Sequence, residues 1–279
     1  MNDNRKALLK FALSFALILA AYLPTLKWFY DRWTYSESYY GHGFLIPLAS
    51  LFIIWQRRRI LRSIKLSSDL TGLALVAVCM AVHLASSALR IYFISGFSMV
   101  FAIYGLVIFS FGKKIAGNLI FPIFFLLAMV PLPLVLISNL TVKLKLFVAT
   151  ASTFVLNHVG FPSVRDGSTI IMPNSHIVVA APCSGLRSLI ALLTLGVLFS
   201  YAIKMSYPKK IALFMSSIPI ALTTNLIRIT ALAIVNDLYG EKVAMGFFHD
   251  FSGFAVFGLA FVMLYGVSRT FEGGGYEAE

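Results

Sequence analysis

The chain holds two cysteines and five histidines in 279 residues, and one of those cysteines sits where a thiol could act. Cys183 lies in Ala181-Pro182-Cys183-Ser184-Gly185-Leu186-Arg187, where an extended segment meets an apolar helical run. A cysteine in the first turn of a helix faces unpaired backbone N–H groups and the positive end of the helix dipole, both of which favour thiolate. Pro182 suits a helix start. Arg187, four residues on, adds positive charge on the same face. The plainer reading of Pro-Cys-Ser-Gly is a cap and turn with no chemistry. Cys79, between Val78 and Met80, reads as a small buried hydrophobe. It lies half a span deep while Cys183 is at a rim, so a disulfide, which needs Cα atoms within ~7 Å, is not expected.

Two further residues carry chemical potential. Arg228, in Thr224-Asn225-Leu226-Ile227-Arg228, is set in apolar sequence, where an arginine is costly unless it faces a bundle interior or an aqueous cavity. Asn225 shares its helical face and is expected to orient it; the alternatives for Arg228 are snorkelling or a bridge to a loop carbonyl. His249 lies in Gly246-Phe247-Phe248-His249-Asp250-Phe251-Ser252-Gly253, with Gly253 one turn on allowing a close helix approach. Alone, such a histidine is as readily a structural hydrogen-bonder. A thiol, an imidazole and a guanidinium together suit acyl transfer: a thiolate attacks a carbonyl while a cation or N–H donor steadies the oxyanion.

The elements that must position these residues follow from composition. With 59% hydrophobic and only 12% charged residues, the chain is far more apolar than a soluble domain. Its 25 Phe and 12 Tyr exclude a polar disordered chain. The expected class is an all-α polytopic membrane protein, with about eight transmembrane helices near 7-24, 43-56, 70-89, 91-111, 115-137, 183-203, 211-235 and 250-268. The first run follows Arg5, Lys6 and Lys10 but lacks a small-residue cleavage site, so it is read as a retained span rather than a signal peptide.

A cytoplasmic N-terminus places residues 57-69, 112-114 and 204-210 and the tail inside. Most of the 23 Lys and Arg then lie on the inner face, satisfying the positive-inside rule. The net charge of +12 is thereby read as topology, with no nucleic-acid partner expected. The same count carries Cys183, Arg228 and His249 to one level on the outer face. Residues 138-182 form an extracytoplasmic insertion before helix six. Ser138 to His158 reads as an interfacial amphipathic helix; Ser168–Met172 and His176–Ala180, about a Pro173-Asn174-Ser175 turn, read as a β-hairpin. The whole of 1-279 is expected to be one integral-membrane domain with a flexible tail at about 270-279.

Two patterns narrow the chemistry. His42, His83, His158 and His176 also fall toward the outer half, but no His-Glu-x-x-His or paired-Cys spacing accompanies them. Neither a metal nor another cofactor is expected. No Asp or Glu lies deep in a span, which disfavours aspartyl intramembrane proteolysis and most proton-coupled carriers.

Pro182-Cys183-Ser184-Gly185-Leu186-Arg187, Asn225-x-x-Arg228 and His249 before a Gly-punctuated last helix resemble the exosortase/archaeosortase family. Tyr40-Gly41-His42-Gly43-Phe44-Leu45-Ile46-Pro47, followed by Trp55-Gln56-Arg57-Arg58-Arg59, is similar to that family's second-span region. The resemblance implies a membrane cysteine transpeptidase acting on exported proteins. Their C-terminal sorting signal combines a Pro-Glu-Pro-like motif, a transmembrane helix and a basic cluster. Cleavage would pass through an acyl-thioester, and the protein would go to an unknown extracytoplasmic acceptor, with membrane lipids as surroundings. It also implies Cys183 as nucleophile, Arg228 as proton donor and His249 as transition-state stabiliser, with Arg187, Asn225 and Ser184 in support. Chemistry alone instead makes His249 the base, since an arginine barely deprotonates. Two other readings stand beside this one: a serine-type intramembrane protease using Ser184 and His249, and a transporter or lipid-handling protein with a structural Cys183.

Overall fold

In the membrane every backbone polar group must be satisfied within the chain, so long apolar runs fold as helices and proline decides where they break. The protein, seen in a computed structural model that describes residues 3–273, is an all-α polytopic membrane protein with one small sheet. Among the described residues five helices are long and apolar enough to cross a bilayer, or six if one bent pair counts as a span; Gly41–Gln56 and Leu186–Ala202 are apolar but shorter. The chain divides into two compact units, Met1–Pro133 and Leu134–Glu279. Gly274 to Glu279, most of the expected flexible tail, lie outside the described residues.

The first unit contains α1 (Asp3–Ala21), α2 (Leu23–Thr34), α3 (Leu45–Gln56), α4 (Arg58–Ser63), α5 (Leu70–Ala88), α6 (Tyr92–Phe111) and α7 (Lys113–Phe125). α5 and α6 pack as a hairpin and coincide with two of the expected spans. α1 occupies the expected first span and ends at Ala21; the chain then bends by 66° into α2, because Pro24 has no N–H with which to continue the ladder. His83 holds the bend from α5: its Nε2 donates to the Ala21 carbonyl (3.1 Å) and its Nδ1 meets the Ser95 hydroxyl (2.7 Å). α3 has twelve residues. Its length is therefore roughly 18 Å, well short of a hydrocarbon core of roughly 30 Å. Asp69 caps α5 by accepting from the Thr71 N–H (2.9 Å) and pairs with Lys113 (3.0 Å) at the start of α7.

The expected span 115-137 is not one helix. α7 stops at Phe125, passes through a 3-10 turn at Leu126–Met129, and breaks at Val130 to Pro133. Pro131 and Pro133 remove two donors and push their preceding residues out of helical geometry. The next helix, α8 (Leu134–His158), opens the second unit and takes in the whole stretch read as an interfacial helix; at 25 residues it is itself long and apolar enough to span.

After α8 the second unit forms a three-stranded antiparallel sheet, β1 (Val164–Asp166), β2 (Thr169–Ile171) and β3 (His176–Val178). The expected hairpin is β2–β3, with Ile170 opposite Ile177. β1, which pairs with β2, was not foreseen, although Gly167-Ser168 between the two is a tight-turn signal. α9 (Leu186–Ala202), α10 (Tyr207–Tyr239) and α12 (His249–Gly273) complete the unit, with the single turn α11 (Glu241–Val243) and a kink at Gly246 between the last two.

These three long helices pack through Leu192 of α9, Leu213 and Ile220 of α10, and Ala260 and Leu264 of α12. Such association in lipid relies on close packing rather than on the hydrophobic effect. Gly196 on α9 therefore faces Ser217 on α10, where any side chain would strike the serine hydroxyl. α10 has 33 residues, which makes it roughly 50 Å long. Its far end continues beyond this core to meet α8 and the sheet. There Leu156, Ile170, Ile177, Val179, Ile229 and Leu232 form a second buried cluster. Asn236 donates to the His176 carbonyl (3.0 Å), and Asp237 accepts from Asn174 N–H (3.1 Å), so the β2–β3 turn is tied to the last turns of α10.

Candidate active site

β3 delivers the chain to a 3-10 turn, Ala181–Cys183, that ends one residue short of the α9 N-cap. The cap is Gly185, in left-handed backbone (φ 83°). A β-carbon there would fall 2.7 Å from Asn225 Nδ2. Glycine is thus demanded twice, by conformation and by space. Asn225, on α10 and 2% exposed, donates to the carbonyl of Cys183 (3.2 Å). The expectation that Asn225 orients Arg228 is thereby replaced: it shares a face with the arginine, but its amide holds the cysteine turn.

Cys183 itself is buried at the edge of the sheet cluster, and both cysteines are free thiols. Its Sγ lies 3.4 Å from Nε2 of His249, the first residue of α12. Arg228 reaches the same nitrogen: Nη2 is 3.2 Å from His249 Nε2 and 3.3 Å from the His249 carbonyl. Its Nε donates to Ser252 Oγ (3.2 Å), and that hydroxyl donates in turn to the His249 carbonyl (2.9 Å). Arg228 is therefore directed at the start of α12 rather than snorkelling. The space beside Gly253, expected to admit a helix backbone, is filled by the guanidinium, 3.7 Å from where a β-carbon would stand.

The thiol lies in the turn ahead of α9. Burial raises its pKa, and the nearby charges of Arg228 and then Arg187 pull it back without cancelling the rise. The expectation that the helix end and Arg187 favour thiolate is opposed by desolvation of a thiol packed among apolar side chains, which outweighs the two arginine charges. Arg187 is exposed and acts through its charge alone. A guanidinium has only donors, so Nε2 of His249 facing Nη2 is an acceptor, which puts the imidazole proton on Nδ1. The thiol S–H and the guanidinium thus converge on one lone pair.

Ser184 does not join this group. Its side chain is fully buried, and its hydroxyl accepts from the Leu186 N–H (3.4 Å) inside the turn. Two of the other histidines are spent on structure: His83 at the α1–α2 bend, and His158 on the Phe154 carbonyl (2.8 Å). Cys79 is buried in α5, its carbonyl accepting from Tyr22 (3.3 Å). Among the described residues no three His, Cys, Asp or Glu side chains gather as metal ligands.

Ser252 and Gly185 are the residues that motif reading passed over. Ser252 stands three positions after His249, which puts the two on one helical face. Gly185 follows the serine at a helix start, but its need for a positive φ is visible only in the folded turn.

The thiol just ahead of α9 and the guanidinium from within α10 both meet the imidazole at the start of α12, a grouping suited to acyl transfer in a polytopic membrane protein. A family description, transmembrane exosortase, matches residues 32–266, and the chain belongs to that family. No curated protein and no solved structure gives a match. Membership supports a membrane transpeptidase in general, with protein substrates that carry sorting signals.

Proposed function

We propose that the protein is a cysteine transpeptidase that cleaves the C-terminal sorting signal of exported proteins and passes them to an extracytoplasmic acceptor. The observation that carries this reading is the 3.4 Å approach of Cys183 Sγ to His249 Nε2, with Arg228 on the same nitrogen. As substrate binds, the thiol proton passes to His249 Nε2 and the sulfur attacks the scissile carbonyl carbon. The resulting oxyanion is met by the Arg228 guanidinium, whose charge counts for most in a water-poor site. Collapse breaks the C–N bond, and the leaving amine takes the proton held by His249, leaving an acyl-thioester on Cys183. The acceptor's nucleophile then attacks that carbonyl, its proton returning through His249 to the thiolate.

These roles differ from those the family resemblance implies. Arg228 as proton donor would have to give up a proton that a guanidinium does not release in proteins, whereas an imidazole in contact with the sulfur can take up a proton at a ring nitrogen and hand it on. We therefore assign proton transfer to His249 and charge stabilisation to Arg228. Asn225 positions the cysteine turn, and Arg187 adds positive potential. The serine-protease alternative loses support from the burial of Ser184 and its bond to Leu186.

The proposed orientation follows the positive-inside rule: multi-pass in the cell membrane, N-terminus cytoplasmic, Cys183 near the extracytoplasmic face, with 138-182 as the insertion of a single catalytic domain. The deciding experiment is trapping. A sorting-signal protein co-expressed with the enzyme should give a hydroxylamine-sensitive adduct that Cys183→Ala abolishes and Ser184→Ala retains. No adduct with any signal-bearing substrate, or one that survives Cys183→Ala, refutes the mechanism. Labelling Cys183 with a membrane-impermeant thiol reagent tests the side; reaction only from the cytoplasm refutes the orientation.

A further inference from the structure

The first unit carries a groove that the proposed chemistry leaves unused. It encloses about 840 Å³, a volume typical of ligand sites. Phe11 and Phe15 of α1, Leu51 of α3, Val107 of α6, and Ile115 and Leu119 of α7 line it. The hydroxyl of Ser50 in its wall is already donated to the Pro122 carbonyl (2.7 Å). That part of the interior therefore offers water little to bind. From Pro47 to Arg58 the groove extends roughly 16 Å at about 1.5 Å per helical residue.

Its mouth has the opposite character. Arg58 and Arg62 of α4 line it. The Arg58 guanidinium lies 4.0 Å over the Trp55 ring and donates to the Trp55 carbonyl (2.9 Å). Ring and carbonyl together fix it at the rim. Among the described residues no carboxylate is within ion-pair distance of Arg58 or Arg62; Asp69, close by in sequence, is taken by Lys113. Lys65, Lys113 and Lys114 border a neighbouring depression and add to the positive potential.

We propose that this groove is a specific site for one anionic glycerophospholipid, its acyl chain lying among α1, α3, α6 and α7 and its phosphate held by Arg58 and Arg62. Guanidinium pairs match phosphate oxygens through paired N–H donors, and the apolar walls match hydrocarbon. A sorting-signal helix with its basic cluster fits poorly, because it would set like charges against the two arginines. The inference is independent of the catalytic reading above.

The test uses the full chain, delipidated in neutral detergent and titrated with phosphatidylglycerol or phosphatidylcholine of identical acyl chains, with bound lipid counted by native mass spectrometry. One phosphatidylglycerol per chain is expected, held roughly 30-fold more tightly than phosphatidylcholine, as two arginines near an anionic head imply. The preference disappears in R58Q/R62Q and persists in R269Q, which removes a basic residue elsewhere. Leu119→Trp, which fills the groove, abolishes retention of either lipid, and glycerol phosphate without tails does not compete. Equal binding of both lipids, a preference that survives R58Q/R62Q, graded uptake of several lipids per chain, or a second protein copy in the groove overturns the proposal. Arg58 and Arg62 lie at the rim, so R58Q/R62Q decides the matter even if Leu119→Trp does not fold.

Discussion

The Sγ of Cys183 and the Nε2 of His249 stand 3.4 Å apart although 66 residues separate them in sequence. α9 and α12 start at the same end of one three-helix core, so the two helix starts meet. Proton transfer between them needs no rearrangement of the backbone. Cys183→Ala should abolish substrate cleavage, and His249→Gln should lower kcat by about 10²–10⁴-fold, the usual contribution of a positioned proton carrier. Both are read from product formation in membranes containing equal amounts of inserted enzyme. Full activity in His249→Gln would remove the histidine from the mechanism.

Arg228 is held by geometry as much as by charge. Its Nε reaches Ser252 while Nη2 reaches His249. A lysine keeps the charge but cannot make both contacts. Arg228→Lys should therefore lose roughly 10²-fold in kcat, about what one oxyanion donor supplies. Ser252→Ala should lose less, with KM nearly unchanged, because it frees the guanidinium without removing it. Rescue of full kcat by lysine would show that charge alone suffices.

Gly185 should tolerate no replacement. Alanine there adopts left-handed backbone at a cost of about 1–2 kcal/mol and also displaces Asn225 from the cysteine turn. Gly185→Ala should lower both the thermal midpoint and activity. Asn225→Ala should lower activity more than stability, since it releases the Cys183 carbonyl. Unchanged activity in both variants would show that the turn needs no clamp.

The Cys183 thiol is pushed up by burial, so the neutral form predominates at neutral pH. Alkylation by iodoacetamide needs thiolate and should rise through a pH above the usual cysteine value of about 8.5. Because the charge of Arg228 pulls that pKa down, Arg228→Gln should move the alkylation midpoint to still higher pH. A midpoint below about 8.5 in the unaltered protein would mean a thiolate already formed at rest.

How much of this was legible in the sequence depended on whether the signal was local. α5, α6 and the central parts of α10 and α12 lie in long apolar runs, and Cys183, Arg228 and His249 stand out as reactive types within or beside them. The end of α7 does not, because Pro131 and Pro133 sit inside a run whose length and hydropathy suit a span. Asn225 is legible as polar and out of place, but helical spacing points to Arg228 as its partner. The true partner, the Cys183 carbonyl, lies across an interface that spacing does not encode. The high thiol pKa was hidden for the same reason, since the apolar side chains that desolvate Cys183 come from α8, β2, β3 and α10.

The Asn225 bond to the Cys183 carbonyl also constrains how donor and acceptor can share the enzyme. With its backbone pinned on one side by α10 and on the other by the sheet cluster, the sulfur has little freedom beyond side-chain rotation. On the proposed chemistry, an acyl group tethered there cannot be swung to a second location. The departing helix and the incoming acceptor must use the same point in turn, the first clearing the thioester before the second arrives.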